Sequence, residues 1–453
     1  MVLKGIVVFK SLSSNPDYVL LNESGYESVR QVGCKTNFEI GTLVEADSEN
    51  AGEIKAISDK GLEKEIGRSL EKKSASYKTA LLVDDEAMRK FQPRMQQTAE
   101  FVARRLLLLH PVLIRFNDDC DGISAGMLVK KAVEEFVKQN EIPFPKGFLK
   151  NKQCNSAVYD SGEAAWDADQ HSFAEYGKKP LLFLLDFGGN EESVEGLEAA
   201  DSVFDVVILD HHVFSQNAKG KAAGFLNPLE YGGTSWHTTG LVAYEFARTL
   251  VGKKAEEWEE YAFYSLESDK SIFRKKEIFK QALVLDYLAT EGLSLEKYEK
   301  ALEEDLQLHY LEATGKISAA KEKALKKTRI LEIGKAKLIL ADLEGTTSKN
   351  EFPPKGKVLN EVQKHYGGEE EGGMVASIGF DSTAIQFRVS RALHSKGFKA
   401  TRIIDLIKKE FGGEGISGGG HEQAAAMRFG KENSKAVLDK TVEISKKEIE
   451  NAL

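Results

Sequence analysis

Short apolar runs punctuated by turn residues open the chain. Residues 5–9, 18–21, 27–32, 42–45 and 53–57 are rich in Val, Ile and Tyr, and Gly, Asn, Ser and Pro separate them, so each reads as a strand. This spacing predicts a small β-barrel of the OB or S1 type over residues 1–70, suited either to single-stranded nucleic acid or to packing and docking. The period then changes. Met88, Phe91, Met95, Ala99 and Phe101 recur at roughly helical spacing, which predicts linker helices over 71–108 that Pro93 kinks or splits.

Beyond residue 109 strands alternate with helices. Residues 112–116 read as a strand, 181–185 and 206–209 are wholly apolar, and 123–137, 239–250 and 257–288 carry helical patterns. Continuous apolar strands suit the middle of a parallel sheet, buried on both faces. The segment 109–290 therefore reads as one α/β domain. Residues 291–331 form a helical connector whose Glu and Lys residues sit three or four apart, the pattern of a solvated face. Residues 332–453 repeat the α/β texture on a smaller scale, with strands at 333–340, 374–380 and 383–389 and helices at 402–411 and 433–446. The fold class is α/β, a parallel-sheet domain plus a smaller α/β domain, with the small barrel in front.

Composition narrows the function. The 71 acidic residues exceed the 62 basic ones, for a net charge of −9 over 453 residues, which argues against a wholly basic nucleic-acid binder and leaves room for a local basic cleft. A charged fraction of 29% and a hydrophobic fraction of 42% exclude a disordered or collagenous chain. Cys34, Cys120 and Cys154 are too few and scattered for a disulfide framework or a thiolate zinc site, and suit a reducing compartment. The opening Met-Val-Leu-Lys-Gly does not read as a signal peptide, and the apolar runs fall far below the ~18 residues that span a bilayer, so the expectation is a cytoplasmic protein with no membrane partner.

Three apolar strands end in acidic residues: Asn117-Asp118-Asp119-Cys120-Asp121 after the first, Asp186 after the second, and Asp210-His211-His212 after the third. In a parallel sheet all carboxyl ends share one edge, so Asp119, Asp121, Asp186, Asp210 and His211 are expected to converge. Packed carboxylates repel one another, and a divalent cation relieves the repulsion. Oxygen ligands with one or two imidazoles suit Mn²⁺ or Mg²⁺, and a pair of such ions ~3.5–4 Å apart serves phosphodiester hydrolysis. A fourth feature is Gly418-Gly419-Gly420-His421. Its glycines allow close backbone approach to an anion, a helix is expected to follow at 422–427, and His421 is a candidate phosphate contact.

In this order the motifs resemble the DHH/DHHA1 phosphoesterase superfamily, and within it the archaeal RecJ-like proteins, over about residues 109–430. Asn227-Pro228 and the run from Thr239 to Tyr244 are similar to the RecJ-type continuation. The resemblance implies a Mn²⁺ or Mg²⁺ pair held by Asp119, Asp121, Asp186, His211 and Asp269, with Asp186 as the bridge and Glu267 as the competitor to Asp269. It implies that Asp210 and His212 orient the site or touch substrate. It also implies that Ser390, Arg391, Gly418, Gly419, Gly420 and His421 grip substrate phosphate. Asn117 stands where the family's first motif has a histidine. A neutral amide oxygen is a poorer ligand than imidazole, so the outer metal is expected to be weaker or shifted toward Mg²⁺.

The function expected from this resemblance is a metal-dependent 5′-to-3′ exonuclease on single-stranded DNA or RNA, fed along a basic path through Arg402, Lys408, Lys409 and Arg428. Three alternatives stay open: a phosphodiesterase for short oligonucleotides or cyclic dinucleotides, a weakly active or inactive scaffold partnered with replication-complex proteins, and a pyrophosphatase.

Overall fold

The computed structural model describes all residues except 1, 12–16, 31–37, 48–53, 144, 146, 171–172, 174–176, 278, 349–350, 368–371 and 413–414. The chain divides into two compact units, Met1–Asp305 and Leu306–Leu453.

The first unit opens with β1 (Val2–Lys10), β2 (Asp17–Leu21), β3 (Tyr26–Arg30), β4 (Leu43–Asp47) and β5 (Ile54–Ala56). They pair antiparallel in the order β3-β2-β1-β4-β5, around a small core that includes Val7, Tyr18, Leu20 and Val44. Among the described residues this sheet is open, and the predicted closure into a barrel is not seen. Residues 31, 32 and 53 of the predicted strands, and Cys34, lie outside the described residues. The sheet is tied to the body behind it. Tyr26 Oη donates to the Leu107 carbonyl at 2.6 Å, and Lys178 Nζ donates to the carbonyls of Val8, at 2.6 Å, and Leu108.

Two helices follow, Lys60–Ser74 and Glu86–Leu107, capped by Asp59 and Asp85. The predicted helical stretch 71–108 is therefore interrupted between 75 and 85. Pro93 does not split the second helix. It removes one backbone donor, but Phe91, Met95, Val102 and Leu106 bury a continuous apolar face that holds the helix through it.

The second sheet contains β6 (Val112–Phe116), β7 (Leu149–Gln153), β8 (Leu181–Leu185), β9 (Asp205–Leu209) and β10 (Gly224–Leu226), all parallel, in the order β10-β9-β8-β6-β7. The order reverses between β6 and β8. Strand connections diverge at that switch point and leave a crevice beyond the carboxyl ends. Phe116 pairs with Leu185, and Leu185 with Leu209, so Asn117, Asp186 and Asp210 leave three adjacent strands at one level. The long pattern 257–288 is broken into helices Glu259–Ser268 and Lys280–Leu288, with Asp269 at the break.

The second unit carries a six-stranded sheet, β11 (Thr328–Ile333), β12 (Ala336–Asp342), β13 (Val375–Phe380), β14 (Ala384–Val389), β15 (Ile416–His421) and β16 (Ala424–Phe429), in the order β11-β12-β13-β14-β16-β15. Among the described residues of this sheet only β12 and β13 pair parallel. The predicted helix after the glycine run is overturned. Gly418, Gly419, Gly420 and His421 lie in edge strand β15, hairpinned onto β16. Ala425, Met427 and Phe429 are buried at every second position, so a period of two governs this segment. Among the described residues no helix follows the glycines directly in the chain, and no helix is long and apolar enough to cross a membrane.

Candidate metal centre

The crevice at the switch point collects the acidic strand ends. Asp119 caps the helix Cys120–Gln139, its Oδ1 accepting from Gly122 N at 2.9 Å. Gly122 lies so close to the strand end that an added Cβ would stand 2.6 Å from Asn117 N, so only glycine allows the turn to fold back. Asp121 follows in the first helical turn and is fully buried. Its oxygens accept from the backbone N–H groups of Thr239, at 2.9 Å, and Gly240, at 2.6 Å. These are the first amides of the helix Thr239–Val251, whose positive end favours the carboxylate. A Cβ on Gly240 would stand 2.4 Å from Ser265 Cβ, so glycine also permits this approach.

Asp186 leaves β8 with a left-handed backbone, φ +68°, unusual for a residue with a side chain. Its N–H stays paired to Leu209 O at 2.9 Å. Its Oδ1 accepts from Thr239 Oγ1 at 2.8 Å and its Oδ2 from Asn117 Nδ2 at 3.0 Å. The same amide nitrogen donates to Asp119 Oδ2 at 3.2 Å. Asn117 thus links two carboxylates. Its Oδ1 faces Cys154 Sγ, 3.5 Å away, and half a turn of the amide plane exchanges the two atoms.

His211 is the centre of the arrangement. Its Nδ1 lies 2.9 Å from the Ser235 carbonyl, which can only accept, so Nδ1 carries the proton. Nε2 is then turned on three carboxylate oxygens: Asp186 Oδ1 at 3.4 Å, Asp269 Oδ2 at 3.5 Å and Asp121 Oδ2 at 3.6 Å. Burial, then the charge of His212, push the His211 pKa down. A neutral lone pair facing three carboxylates has no proton to share with them. A cation is the group that fits. Burial and the Asp121 charge push Asp119 up to about 7 and Asp186 and Asp269 well above the usual carboxylate range, which records the same unfilled need for positive charge.

Two sets of donors converge closely enough to hold an ion: Asp121, His211 and Asp269, and Asp186, His211 and His212. Asp119 and Asn117 join this cluster through the amide bridge to Asp186. Asp210 faces its own loop. Its Oδ1 accepts from the N–H groups of His211, at 2.7 Å, and His212, at 3.1 Å, and meets His212 Nδ1 at 2.9 Å. Burial works against its ionisation, but the His212 charge and hydrogen bond outweigh it and hold the carboxyl below its ordinary value. In return, although burial works against a proton on His212, Asp210 raises its pKa to about 9. Of the two carboxylates near residue 268, Asp269 faces His211, whereas Glu267 reaches toward Arg274 at 3.8 Å.

In the second unit, Ser390 is buried, and its Oγ accepts from Val375 N at 3.0 Å and caps the short helix Arg391–His394. Arg391 is exposed, Gly418, Gly419 and Gly420 are exposed along β15, and His421 is partly so. Lys408 donates to Gly418 O at 2.7 Å, and Arg402 is paired with Glu448 at 2.9 Å.

Residues 111–267 match the DHH family, N-terminal domain. The match begins just before β6 and holds the whole cluster except Asp269. An uncharacterized protein of Methanocaldococcus jannaschii is 25% identical over 469 residues, covering 89% of this chain. The chain spans 59% of that relative's length. Among solved structures, the DHH domain of a protein described as belonging to a family of ribosomal proteins superposes with a TM-score of 0.75 at 18% identity, covering 84% of this chain and 97% of that one. RecJ of Thermus thermophilus, in complex with Mn²⁺, gives 0.50 at 12% identity, covering 82% of this chain and 56% of that one. At these identities the structural likeness speaks to the fold.

Several participants were invisible in sequence. Thr239 and Gly240 belonged to a recognisable run without an assigned task. Ser235 acts through its carbonyl, which any residue has. Asp286, which accepts from Cys120 N at 2.9 Å, sits in a helix with nothing to mark it.

Proposed function

We propose that the chain is a divalent-metal-dependent phosphodiesterase acting as a 5′-to-3′ exonuclease on single-stranded DNA or RNA. The observation that carries the metal dependence is His211 Nε2, left without a proton because Nδ1 donates its own to the Ser235 carbonyl, and surrounded by three carboxylates at 3.4–3.6 Å. Asp121, His211 and Asp269 would hold one ion. Asp186 would bridge to a second, completed by Asp119 and Asn117. The donor set, rich in oxygen and free of thiolate, suits Mn²⁺ or Mg²⁺, and the likeness to a RecJ that binds Mn²⁺ supports the same choice. A bound pair of such ions supplies an activated water and charge neutralisation for in-line displacement at phosphorus.

The protein's own groups do the rest. Thr239 Oγ1 holds Asp186 Oδ1 in place. The N-terminus of the helix Thr239–Val251 fixes both oxygens of Asp121. His212, with 43% of its side chain exposed and its Nδ1 tied to Asp210, holds a proton on Nε2 near pH 7 and can donate it to a phosphate oxygen. Arg391, His421 and the β15 amides are the proposed phosphate grip, with Lys408 beside the glycines. Single-stranded nucleic acid is the proposed partner.

The test is digestion of 5′- and 3′-labelled single strands of DNA and RNA with Mn²⁺ or Mg²⁺, with Asp186→Ala as control. The proposal expects mononucleotides released from the 5′ end by the parent and none by the variant. Release from the 3′ end overturns the polarity, cleavage of dinucleotides alone moves the substrate to short oligonucleotides, and cleavage by purified Asp186→Ala removes Asp186 from the site.

A further inference from the structure

We propose that a cleft beside β7 is a nucleobase subsite, with Trp166 as its stacking platform, for the nucleotide next to the scissile phosphate. The substrate class rests on the nucleic-acid reading above. The cleft has a volume of about 360 Å³, is lined by Arg115, Lys152, Asn155, Asp160, Glu163 and Trp166, and falls at the small end of ligand pockets. It adjoins the metal centre through a short chain of contacts. Asn155 follows Cys154, whose Sγ lies 3.5 Å from Asn117 Oδ1, and Asn117 touches Asp186.

The chemistry of the walls selects a planar, neutral ligand with hydrogen-bonding edges. Arg115 is fully buried, bonded to Asp167 and, through Nη2, to Glu163 Oε1 at 3.0 Å. Glu163 Oε1 also accepts from Asn155 N at 3.0 Å. Yet Arg115 Nε and Glu163 Oε2, each nine-tenths buried or more, have no hydrogen-bond partner among the described residues. A donor and an acceptor without partners, on two residues that line one cleft, are the complement of a base edge. The charges of Arg115 and Lys152 are more than offset by Asp160, Glu163 and Asp167, so a bare phosphate is disfavoured here. Trp166 is 40% exposed, and Lys152 Nζ stands 3.0 Å from its ring centroid. The cation covers one face of the ring, so a base is proposed to stack on the other, and stacking on an aromatic face tolerates any base.

The experiment compares oligonucleotides carrying either a normal nucleotide or an abasic tetrahydrofuran residue at the terminal position. The parent is expected to show a KM about tenfold lower for the normal strand, Trp166→Ala to lose that difference, and Trp166→Phe to keep most of it. Equal KM values for the two strands with the parent, or unchanged discrimination in Trp166→Ala, overturn the subsite. A second readout is independent of catalysis. With Trp236→Phe and Trp258→Phe in place, GMP is expected to quench the remaining Trp166 fluorescence while ribose 5-phosphate does not. Quenching without strand cleavage would overturn the nuclease reading and keep the subsite, and absence of quenching would overturn the subsite whatever the nuclease result.

Discussion

Replacing Thr239 with Val isolates one hydrogen bond of the metal centre. Thr239 is fully buried, and its Oγ1 donates to Asp186 Oδ1 at 2.8 Å, so Val keeps the shape and removes the donor. A hydrogen bond to a charged group contributes about 1.5–3 kcal/mol, and loss of a group that orients a metal ligand weakens metal binding about 10- to 100-fold, or ~1.4–2.7 kcal/mol, so the two scales agree. The cost should appear mainly with metal. Without it, burial and the neighbouring Asp121 charge disfavour the ionised form of Asp186, so the bond to Thr239 contributes less. Mn²⁺ titration by calorimetry at pH 7.5, with thermal melts in EDTA alongside, reads both states. The expected result is a metal affinity at least tenfold weaker and an EDTA melt displaced by less than about 3 °C. Equal Mn²⁺ affinity in the two proteins would refute the idea that Thr239 aims Asp186 at an ion.

Asn117→His should tighten binding of the weaker metal and steepen the response to Mn²⁺. An unchanged two-site titration would remove Asn117 from the coordination sphere. Gly240→Ala should destabilise the first unit by about 1–3 kcal/mol, because the new Cβ meets Ser265 Cβ at 2.4 Å, with a lowered melting temperature in EDTA as the check. Glu245 tests the electrostatics away from the metal. Burial pushes its carboxyl up to about 7, against the opposing pull of the Leu82 N–H and of Arg248, and its Oε2 has no hydrogen-bond partner among the described residues. The folded state therefore keeps a proton that the unfolded chain releases above about pH 4.5, so stability falls as pH rises from 4.5 to 7, by about 3 kcal/mol in all. Glu245→Gln should melt like the parent near pH 4.5 and about 5 °C higher at pH 8. A pH-independent difference would refute the assignment.

The parts of the fold that were legible share a physical cause. Strands β6, β8 and β9 are central and buried on both faces, so their sequences are mostly apolar, with Arg115 in β6 and Asp205 at the start of β9 as the exceptions, and have sharp ends. Those ends carry the acidic residues, which is why the candidate site could be read along with the sheet. Strand β7, with Lys-Asn-Lys in its middle, borders the sheet edge and has no such pattern. Helix Lys60–Ser74 is so polar that only Ile66, Leu70 and Ser74 are buried, too thin a stripe to register. The glycine run misled because glycine signals freedom of the backbone, and that freedom serves an edge strand as readily as a phosphate turn. Asp286, Ser235 and Thr239 act through contacts between segments far apart in the chain or through the main chain, which no local pattern encodes.

The left-handed backbone at Asp186 has a consequence for how this protein can change. A residue with a side chain held there costs about 1–3 kcal/mol, which glycine would not. Asp186→Gly should accordingly melt higher than the parent in EDTA while losing its response to Mn²⁺. Drift toward greater robustness therefore runs downhill through loss of the very carboxylate proposed to join the two ions. A descendant with no use for a metal ion at this edge would be expected to shed that aspartate early.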